Sequence, residues 1–201
     1  MSSVTVTGGA DAAALLPRVI VFDLDGTLWT PEMYQLWGGS PFKPHKQNLN
    51  SMIDKSGVEV RLIGESRNVL QTLATDSKWA NTYLAISSTC DVPSWARELL
   101  GKFTFTDCAG KTVPMHDLFG DRIEIYKANK ARQHEAILQK VNKIDPSVSE
   151  YAQMLFFDNQ TDNAQHVSRI GVTAYYCPNG MTEGTFQKGL DMWCCAQQSK
   201  M

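Results

Sequence analysis

The stretch RVIVFDLDGT, residues 18–27, decides the fold that this sequence predicts. Its first part, residues 18–24, is mostly apolar and has the length of a buried β-strand. Residues 25–27, Asp-Gly-Thr, follow directly and are typical of a turn. The segment therefore predicts a strand that ends in an acidic turn, with the carboxylates of Asp23 and Asp25 two residues apart.

The rest of the chain alternates short apolar runs with amphipathic stretches, which is the pattern of an α/β protein. Further buried strands are predicted at residues 82–86, 154–157 and 172–176. Helices are predicted at residues 65–77, 130–143, 161–170 and 182–196. A further helix is predicted to open at Asp91-Val92-Pro93, with Asp91 as its cap and Pro93 in its first turn. We expect a Rossmann-like, three-layer α/β/α domain with a mainly parallel central sheet.

The domain organisation follows from chain length and local composition. The 201 residues suit one domain. Residues 1–17 are small and polar without a basic region, so we expect a flexible tail rather than a secretory signal. The domain then spans residues 18–197. The segment before the helix at 65–77 is too short for a large cap, so a short flap at about 30–60 is expected. Four aromatic residues of this region are expected either to line the approach to the site or to pack within a hairpin: Trp29, Tyr34, Trp37 and Phe42.

Charge and cysteine usage exclude several classes of protein. The formal net charge of −2 gives no basic field of the kind that binds nucleic acid. No apolar run approaches the roughly 18 residues needed to span a bilayer, so no membrane association is expected. Five cysteines, an odd number without a C-x-x-C pair, indicate free thiols and a cytoplasmic location.

Three polar side chains stand at the carboxyl ends of predicted strands: Asp23, Ser87 and Asp158. In open α/β sheets ligands bind at that edge, so these side chains are candidates for one site. Two carboxylates close together can converge on one metal ion and one phosphoryl group. Mg²⁺ suits such a site, because it prefers few carboxylates together with water and phosphate oxygens.

The hydrophobic-D-x-D-G-T run at residues 22–27 resembles the first motif of the haloacid-dehalogenase superfamily. With SPF at 40–42, EIY at 124–126, FFD at 156–158 and NGM at 179–181, the chain is similar to the magnesium-dependent phosphatase family. This nearly capless branch matches roughly residues 18–193. The resemblance implies a haloacid-dehalogenase-type fold, Mg²⁺ as cofactor and hydrolysis of phosphomonoesters.

The resemblance assigns roles within the first motif. Asp23 is the expected nucleophile, which forms an aspartyl-phosphate that water then hydrolyses. Asp25 is expected to protonate the leaving alcohol and then to activate the water. Metal ligands are expected from Asp23, from the backbone carbonyl of Asp25 and from Asp158. Thr27 is expected to steady the loop at the phosphate.

The later motifs supply phosphate donors. A hydroxyl after the strand at 82–86 is expected to bind phosphate, and both Ser87 and Ser88 fit because the register is open by one residue. Lys130, preferred over Lys127, is expected to hold phosphate and to offset the repulsion between Asp23 and an anionic substrate.

The fourth motif, FFDN at residues 156–159, ends a strand in a carboxylate, which is costly to bury unless it is paired or bound to metal. Many members of the superfamily carry a second acid where this chain has Asn159. An asparagine can still orient a metal-bound water, so weaker magnesium affinity is expected rather than lost activity. Asn163 fits the family's downstream asparagine and is expected to support the site.

Substrate choice stays open at this stage. The family suggests phosphotyrosine, or phosphorylated sugars and glycated protein, so the partner is a phosphorylated small molecule or a phosphoprotein. Gly26 and Ser88 depart from the family pattern of a bulky aromatic and an arginine, and both border the expected pocket. The alternatives are a sugar phosphomutase and a non-catalytic phosphate-binding module. A monomer or weak dimer is expected.

Overall fold

The computed structural model describes residues 15–199, and within them it has eleven strands and six α-helices. In chain order the strands are β1 Val19–Phe22, β2 Trp29–Thr30, β3 Lys43–His45, β4 Asn48–Ile53, β5 Glu59–Leu62, β6 Tyr83–Ser88, β7 Thr104–Thr106, β8 Thr112–Pro114, β9 Ile123–Ile125, β10 Met154–Asp158 and β11 Thr173–Tyr176. The helices are α1 Ser66–Thr75, α2 Pro93–Lys102, α3 Met115–Phe119, α4 Lys130–Ile144, α5 Thr161–Ser168 and α6 Glu183–Gln198.

Five parallel strands form the central sheet in the order β11-β10-β1-β6-β9. The four residues of β1 are all buried, since a strand at the centre of a parallel sheet is covered on both faces. Its neighbours in register are β10, which pairs Phe22 with Phe157, and β6, which pairs Phe22 with Ile86. The α/β fold with a mainly parallel sheet is confirmed.

Helices cover both faces of this sheet and give the three layers. One face carries Ile20 and Phe22 of β1 into a core shared with α1, α2 and α6. The opposite face carries Val19 and Val21 into a second core with α4 and α5. The alternation of side chains along β1 thus divides its apolar residues between two cores.

The segment between β1 and α1 is more regular than the sequence indicates. It forms a four-stranded antiparallel sheet in the order β2-β5-β4-β3, which we call the flap. Its strands are short, and β3 and much of β4 are exposed, so their sequences carry little apolar pattern. The flap joins the core domain through β2, where Trp29 is fully buried.

A side-chain cap marks the start of α4 but not that of α2. The side chain of Asn129 accepts a hydrogen bond from the Ala131 amide and starts α4 at Lys130, as predicted. The expected cap at Asp91 is wrong: α2 begins at Pro93 after Val92, and the Asp91 carboxylate pairs instead with Lys127 at 3.1 Å.

Residues 1–14, most of the tail predicted at residues 1–17, lie outside the described residues. Within residues 15–199, no helix is long and apolar enough to cross a membrane.

Candidate active site

The polar ends of β1, β6 and β10 meet at one edge of the central sheet, because these strands are parallel neighbours. A cavity of about 170 Å³ lies at this edge. Its lining combines residues of the strand ends, the flap and the start of α5: Asp23, Asp25, Glu32, Tyr34, Ser88, Thr89, Cys90, Asp91, Gln160 and Asn163.

Lys130 connects the two carboxylates that the sequence assigns to the site. Its Nζ lies 2.6 Å from Asp23 Oδ1 and 3.2 Å from Asp158 Oδ2, and it also donates to the Ser87 carbonyl. The Lys130 side chain is only 1% exposed, and Asp158 is fully buried. A buried charge is costly unless it is paired, so this lysine is held by the acids it faces.

Asp158 is fixed from the start of α5. Its carboxylate accepts hydrogen bonds from the Gln160 amide at 2.7 Å and from Asn163 Nδ2 at 3.0 Å. Burial and the nearby charge of Asp23 raise the pKa of Asp158, and Lys130 opposes this rise. Asn163, predicted as a supporting residue, therefore lies in direct contact with Asp158.

Asp25 is held by the flap. Its Oδ1 accepts from Trp29 Nε1 at 2.6 Å, and its Oδ2 accepts from the Met33 amide at 3.1 Å. Burial raises the pKa of Asp25 to about 6, although these two hydrogen bonds lower it. A carboxyl group whose pKa lies near neutrality can both donate and accept a proton at physiological pH.

Thr27 and Gly26 shape the turn after Asp23. The buried Thr27 hydroxyl accepts from the Asn159 amide at 3.0 Å and lies 3.4 Å from Asp23 Oδ2. Gly26 has φ +76°, and a Cβ there would lie 2.1 Å from Asn159 Nδ2. Glycine suits this chain's turn for both reasons, since L-residues rarely adopt this φ and the Asn159 side chain occupies the space.

The structure distinguishes the two candidate serines after β6. The Ser87 hydroxyl is fully buried and donates to Gln133 Oε1 at 2.6 Å. Ser88 lies on the cavity wall, whereas Ser87 is absent from the lining. Successive residues of a strand point to opposite faces, so only one of the two can present its side chain to the cavity.

Several residues of the cavity were missed by sequence reasoning. Glu32 lies in the flap segment, where no periodic pattern marks it. Tyr34, one of the aromatic residues expected to line the approach or to pack in a hairpin, lies on the cavity lining and is 62% exposed. Of the other aromatic residues in that region, Trp29 and Phe42 are buried, while Trp37 is 94% exposed. Tyr34 alone among these four aromatics lines the cavity.

Cys90 also lies on the cavity wall, and all five cysteines are free. Burial and the charge of Asp25 raise the pKa of the Cys90 thiol to about 12. A thiol is nucleophilic as the thiolate, so Cys90 is unsuited to nucleophilic chemistry at neutral pH.

Comparison with known proteins agrees with this geometry. The family model described as Acid Phosphatase matches residues 15–196. The chain belongs to this acid phosphatase family. A human protein named Magnesium-dependent phosphatase 1 is 31% identical over 186 residues, covering 92% of this chain and 91% of that protein. A HAD-like hydrolase superfamily protein of Schizosaccharomyces pombe is 31% identical over 157 residues, covering 78% of this chain and 83% of that protein.

A solved structure supports the fold of this acid phosphatase family member. It is the N-terminal part of the protein BF1531 from Bacteroides fragilis, which contains a phosphatase domain and is complexed with Mg. The two chains superpose with a TM-score of 0.56 at 17% sequence identity. The match covers 89% of this chain and 40% of that one. The predicted membership of the haloacid-dehalogenase superfamily and the prediction of a phosphatase are confirmed by these relatives.

The donor set of this phosphatase is sparse. Within residues 15–199, no group of three or more His, Cys, Asp and Glu side chains could hold a metal ion by itself. The Asp25 carboxylate accepts two hydrogen bonds from the flap. Asp23 and Asp158 are the two carboxylates gathered on Lys130. Any cation held here would need ligands from main-chain carbonyls, water or substrate in addition.

Proposed function

We propose that this phosphatase is a Mg²⁺-dependent phosphomonoester hydrolase that uses Asp23 as its nucleophile. The observation that carries the proposal is the pairing of Asp23 with Lys130 at 2.6 Å on the wall of an open cavity, with Asp25 beside it. A nucleophilic carboxylate needs a nearby cation, because it must approach an anionic phosphoryl group. Lys130 supplies that charge from a buried position.

The two acids of the first motif differ in their surroundings, and this difference supports different roles. Asp23 attacks phosphorus and forms an aspartyl-phosphate, while Asp25 protonates the departing oxygen. In the second half of the reaction Asp25 takes a proton from the attacking water. Its pKa of about 6 suits both steps, and its contacts with Trp29 and Met33 hold the carboxyl group in place.

The residues present fit Mg²⁺. Asp23 and Asp158 place two carboxylates against one lysine, which leaves an excess of buried negative charge for a cation to offset. Both would bind the metal, with the backbone carbonyl of Asp25 as a further ligand and Asn159 near its water. Bound Mg²⁺ supplies charge to the transferring phosphoryl group. The named human relative and the solved Bacteroides domain support this choice of metal.

Phosphate binds beside Asp23, where Lys130 supplies positive charge from behind the cavity wall and Ser88 lies on the lining. Thr27 stabilises the turn after Asp23 by accepting from the Asn159 amide. Of the two candidate serines, Ser88 lies on the cavity lining, and the Ser87 hydroxyl donates to Gln133. We assign Asn163 the support of Asp158 through its 3.0 Å hydrogen bond.

The mouth of the cavity supports hydrolysis of phosphates on bulky groups. Tyr34 is largely exposed there and Asp91 is exposed, so water and a large leaving group have access. Phosphotyrosine and phosphorylated sugars or glycated proteins are the substrates to examine. Access of water favours hydrolysis over transfer to a second sugar. We place the enzyme in the cytoplasm as a monomer or weak dimer.

The test is phosphate release from p-nitrophenyl phosphate with Mg²⁺ and then with EDTA. Activity is expected with Mg²⁺ and is lost with EDTA. Asp23→Asn is expected to lower kcat by about a thousandfold or more, as loss of a nucleophile does. Asp162→Asn is the matched control, because Asp162 is exposed on α5 and outside the cavity lining.

Retained turnover in a folded Asp23→Asn variant would reject the nucleophile. An inactive wild-type enzyme on p-nitrophenyl phosphate, sugar phosphates and phosphotyrosyl peptides would instead favour the non-catalytic phosphate-binding module. Formation of a sugar bisphosphate or a shifted phosphate when a second sugar is supplied would favour the mutase.

A further inference from the structure

Glu32 lies on the cavity wall together with Asp23 and Asp25. It directly precedes Met33, whose amide donates to Asp25 Oδ2 at 3.1 Å. Burial and the charges of Asp23 and Asp91 raise the pKa of Glu32. The charge of Glu32 in turn adds to the effect of burial on the pKa of Asp25. The Glu32 carboxylate is therefore near enough to act on charges inside the cavity.

The lining of the cavity carries negative side chains without positive ones. Among the described residues that form it, four of ten are acidic and none is Lys, Arg or His. Two of these acids face a lysine that lies outside the lining. Asp23 pairs with Lys130 at 2.6 Å, and Asp91 pairs at 3.1 Å with Lys127. No ion pair within the part of the chain that the structure describes includes Glu32, so no counter-ion there offsets its charge.

Glu32 lies on the side of the cavity that receives the leaving group. In the proposed reaction Asp25 protonates the departing oxygen, which places the leaving group next to Asp25. The segment that holds Asp25 contains both Glu32 and Tyr34, and Tyr34 is largely exposed on the cavity lining. A group attached to the departing oxygen therefore meets Glu32 between Asp25 and solvent.

We propose that Glu32 is a specificity-determining residue that disfavours phosphomonoesters whose leaving group carries a second negative charge. The inference rests on the phosphatase function proposed above and narrows its substrate class. Lys130 offsets the charge of the phosphoryl group, but a second anion on the leaving group faces Glu32, and like charges repel. Hydroxyl and ammonium groups can instead donate hydrogen bonds to the Glu32 carboxylate. Sugar monophosphates and basic phosphopeptides are therefore favoured over sugar bisphosphates and acidic phosphopeptides.

The test compares three aryl phosphates whose para substituents differ in charge. The substituent is anionic in 4-carboxyphenyl phosphate, neutral in 4-carbamoylphenyl phosphate and cationic in 4-(aminomethyl)phenyl phosphate. The kcat/KM for phosphate release is measured with Mg²⁺ at about pH 8, above the ordinary pKa of carboxylates. Glu32→Gln keeps the shape of the side chain and removes its charge. Relative to the neutral substrate, it is expected to raise kcat/KM for the anionic one by about threefold to tenfold and to lower it for the cationic one by about threefold.

Ratios to the neutral substrate cancel any effect of the substitution on Asp25, because all three substrates share the same chemical step. The matched control is Glu59→Gln, which removes the same charge from an exposed position of the flap outside the cavity lining. It is expected to leave both ratios unchanged. Glu32→Ala also removes the charge and carries the test if Glu32→Gln does not fold.

Unchanged ratios in a folded variant without the Glu32 charge would overturn the inference. Ratios that move in the same direction for the anionic and the cationic substrate would also overturn it, because they would reflect a change of shape rather than of charge. An equal response of Glu59→Gln would assign the selectivity to the net charge of the protein instead of Glu32. Absence of wild-type turnover on p-nitrophenyl phosphate and on the neutral substrate would count against the phosphatase function itself, so the two failures are separate.

Discussion

His134 is buried in surroundings that disfavour the charged form of its imidazole. It is fully buried on α4, and its ring packs edge-on against Phe156 at a centroid distance of 4.5 Å. Its Nδ1 lies 2.8 Å from the Lys130 carbonyl and must donate to it, while Nε2 has no partner among the described residues. Burial, with the charge of Lys130 adding to it, lowers the pKa of His134 to about 3.

This low pKa makes the folded state sensitive to acid. The unfolded chain binds a proton at His134 below its ordinary pKa of about 6.5, whereas the folded chain stays neutral there down to about pH 3. The unfolded state thus binds more protons, and stability falls as the pH is lowered through this window. From pH 7 to pH 5 the loss is about 2 kcal/mol, because the slope reaches about 1.4 kcal/mol per pH unit only below the unfolded pKa.

Two acids oppose this effect. Burial raises the pKa of Asp25 to about 6 and also raises that of Asp158. The folded state binds protons at these groups before the unfolded state does, so acidification to pH 5 stabilises the protein through them. The net pH dependence of the wild-type protein therefore does not isolate His134. A comparison with a variant at this position does.

The assay is urea unfolding of wild-type protein and His134→Phe at pH 7 and at pH 5. Phe keeps the edge contact with Phe156 and cannot bind a proton. Wild-type protein should lose about 2 kcal/mol more than His134→Phe between the two pH values. His166→Gln serves as the control, because His166 is exposed, and it should behave as wild type. The same pH dependence in wild type and His134→Phe would refute the reasoning.

Two further predictions concern the first motif. Gly26→Ala should lower the free energy of unfolding by about 2–4 kcal/mol, since backbone strain at φ +76° adds to the clash with Asn159. Gly57→Ala, at φ +92° with open space around its Cβ, should lose only about 1 kcal/mol in the same urea titration, and equal losses would contradict the packing argument. Trp29→Phe removes a hydrogen bond that lowers the pKa of Asp25, so the alkaline limb of the kcat/KM profile should move to higher pH. A move to lower pH would show that the limb does not belong to Asp25.

Much of the core and of the site was predictable from the sequence, because the relevant signals are local. The apolar run at β1 fixes a buried central strand, and the turn after it places two carboxylates at its end. Parallel strands end at one edge, so the convergence of Asp23 and Asp158 followed from their positions alone. Lys130 was predictable from another local signal, its position at the start of a helix, which Asn129 caps.

The flap and the roles around it were decided by tertiary structure. β3 and the start of β4 are exposed, and the alternation of β5 covers only four residues, so the segment leaves too little apolar pattern to read. Trp29 looked like a candidate for the approach to the site, yet it is buried with its indole N–H on Asp25. That contact joins residues four apart across a turn, whose conformation depends on the packing of the flap.

The choice between Ser87 and Ser88 shows the same division most clearly. The sequence establishes that a hydroxyl follows β6, but two adjacent serines differ only in which side of the strand each faces. Gln133, whose complete burial the sequence does not indicate, binds the Ser87 hydroxyl from another part of the chain. Local pattern determined the strands and their acidic ends. Hydrogen bonds between residues distant in sequence determined which side chains face the substrate, because such partners are brought together only by folding.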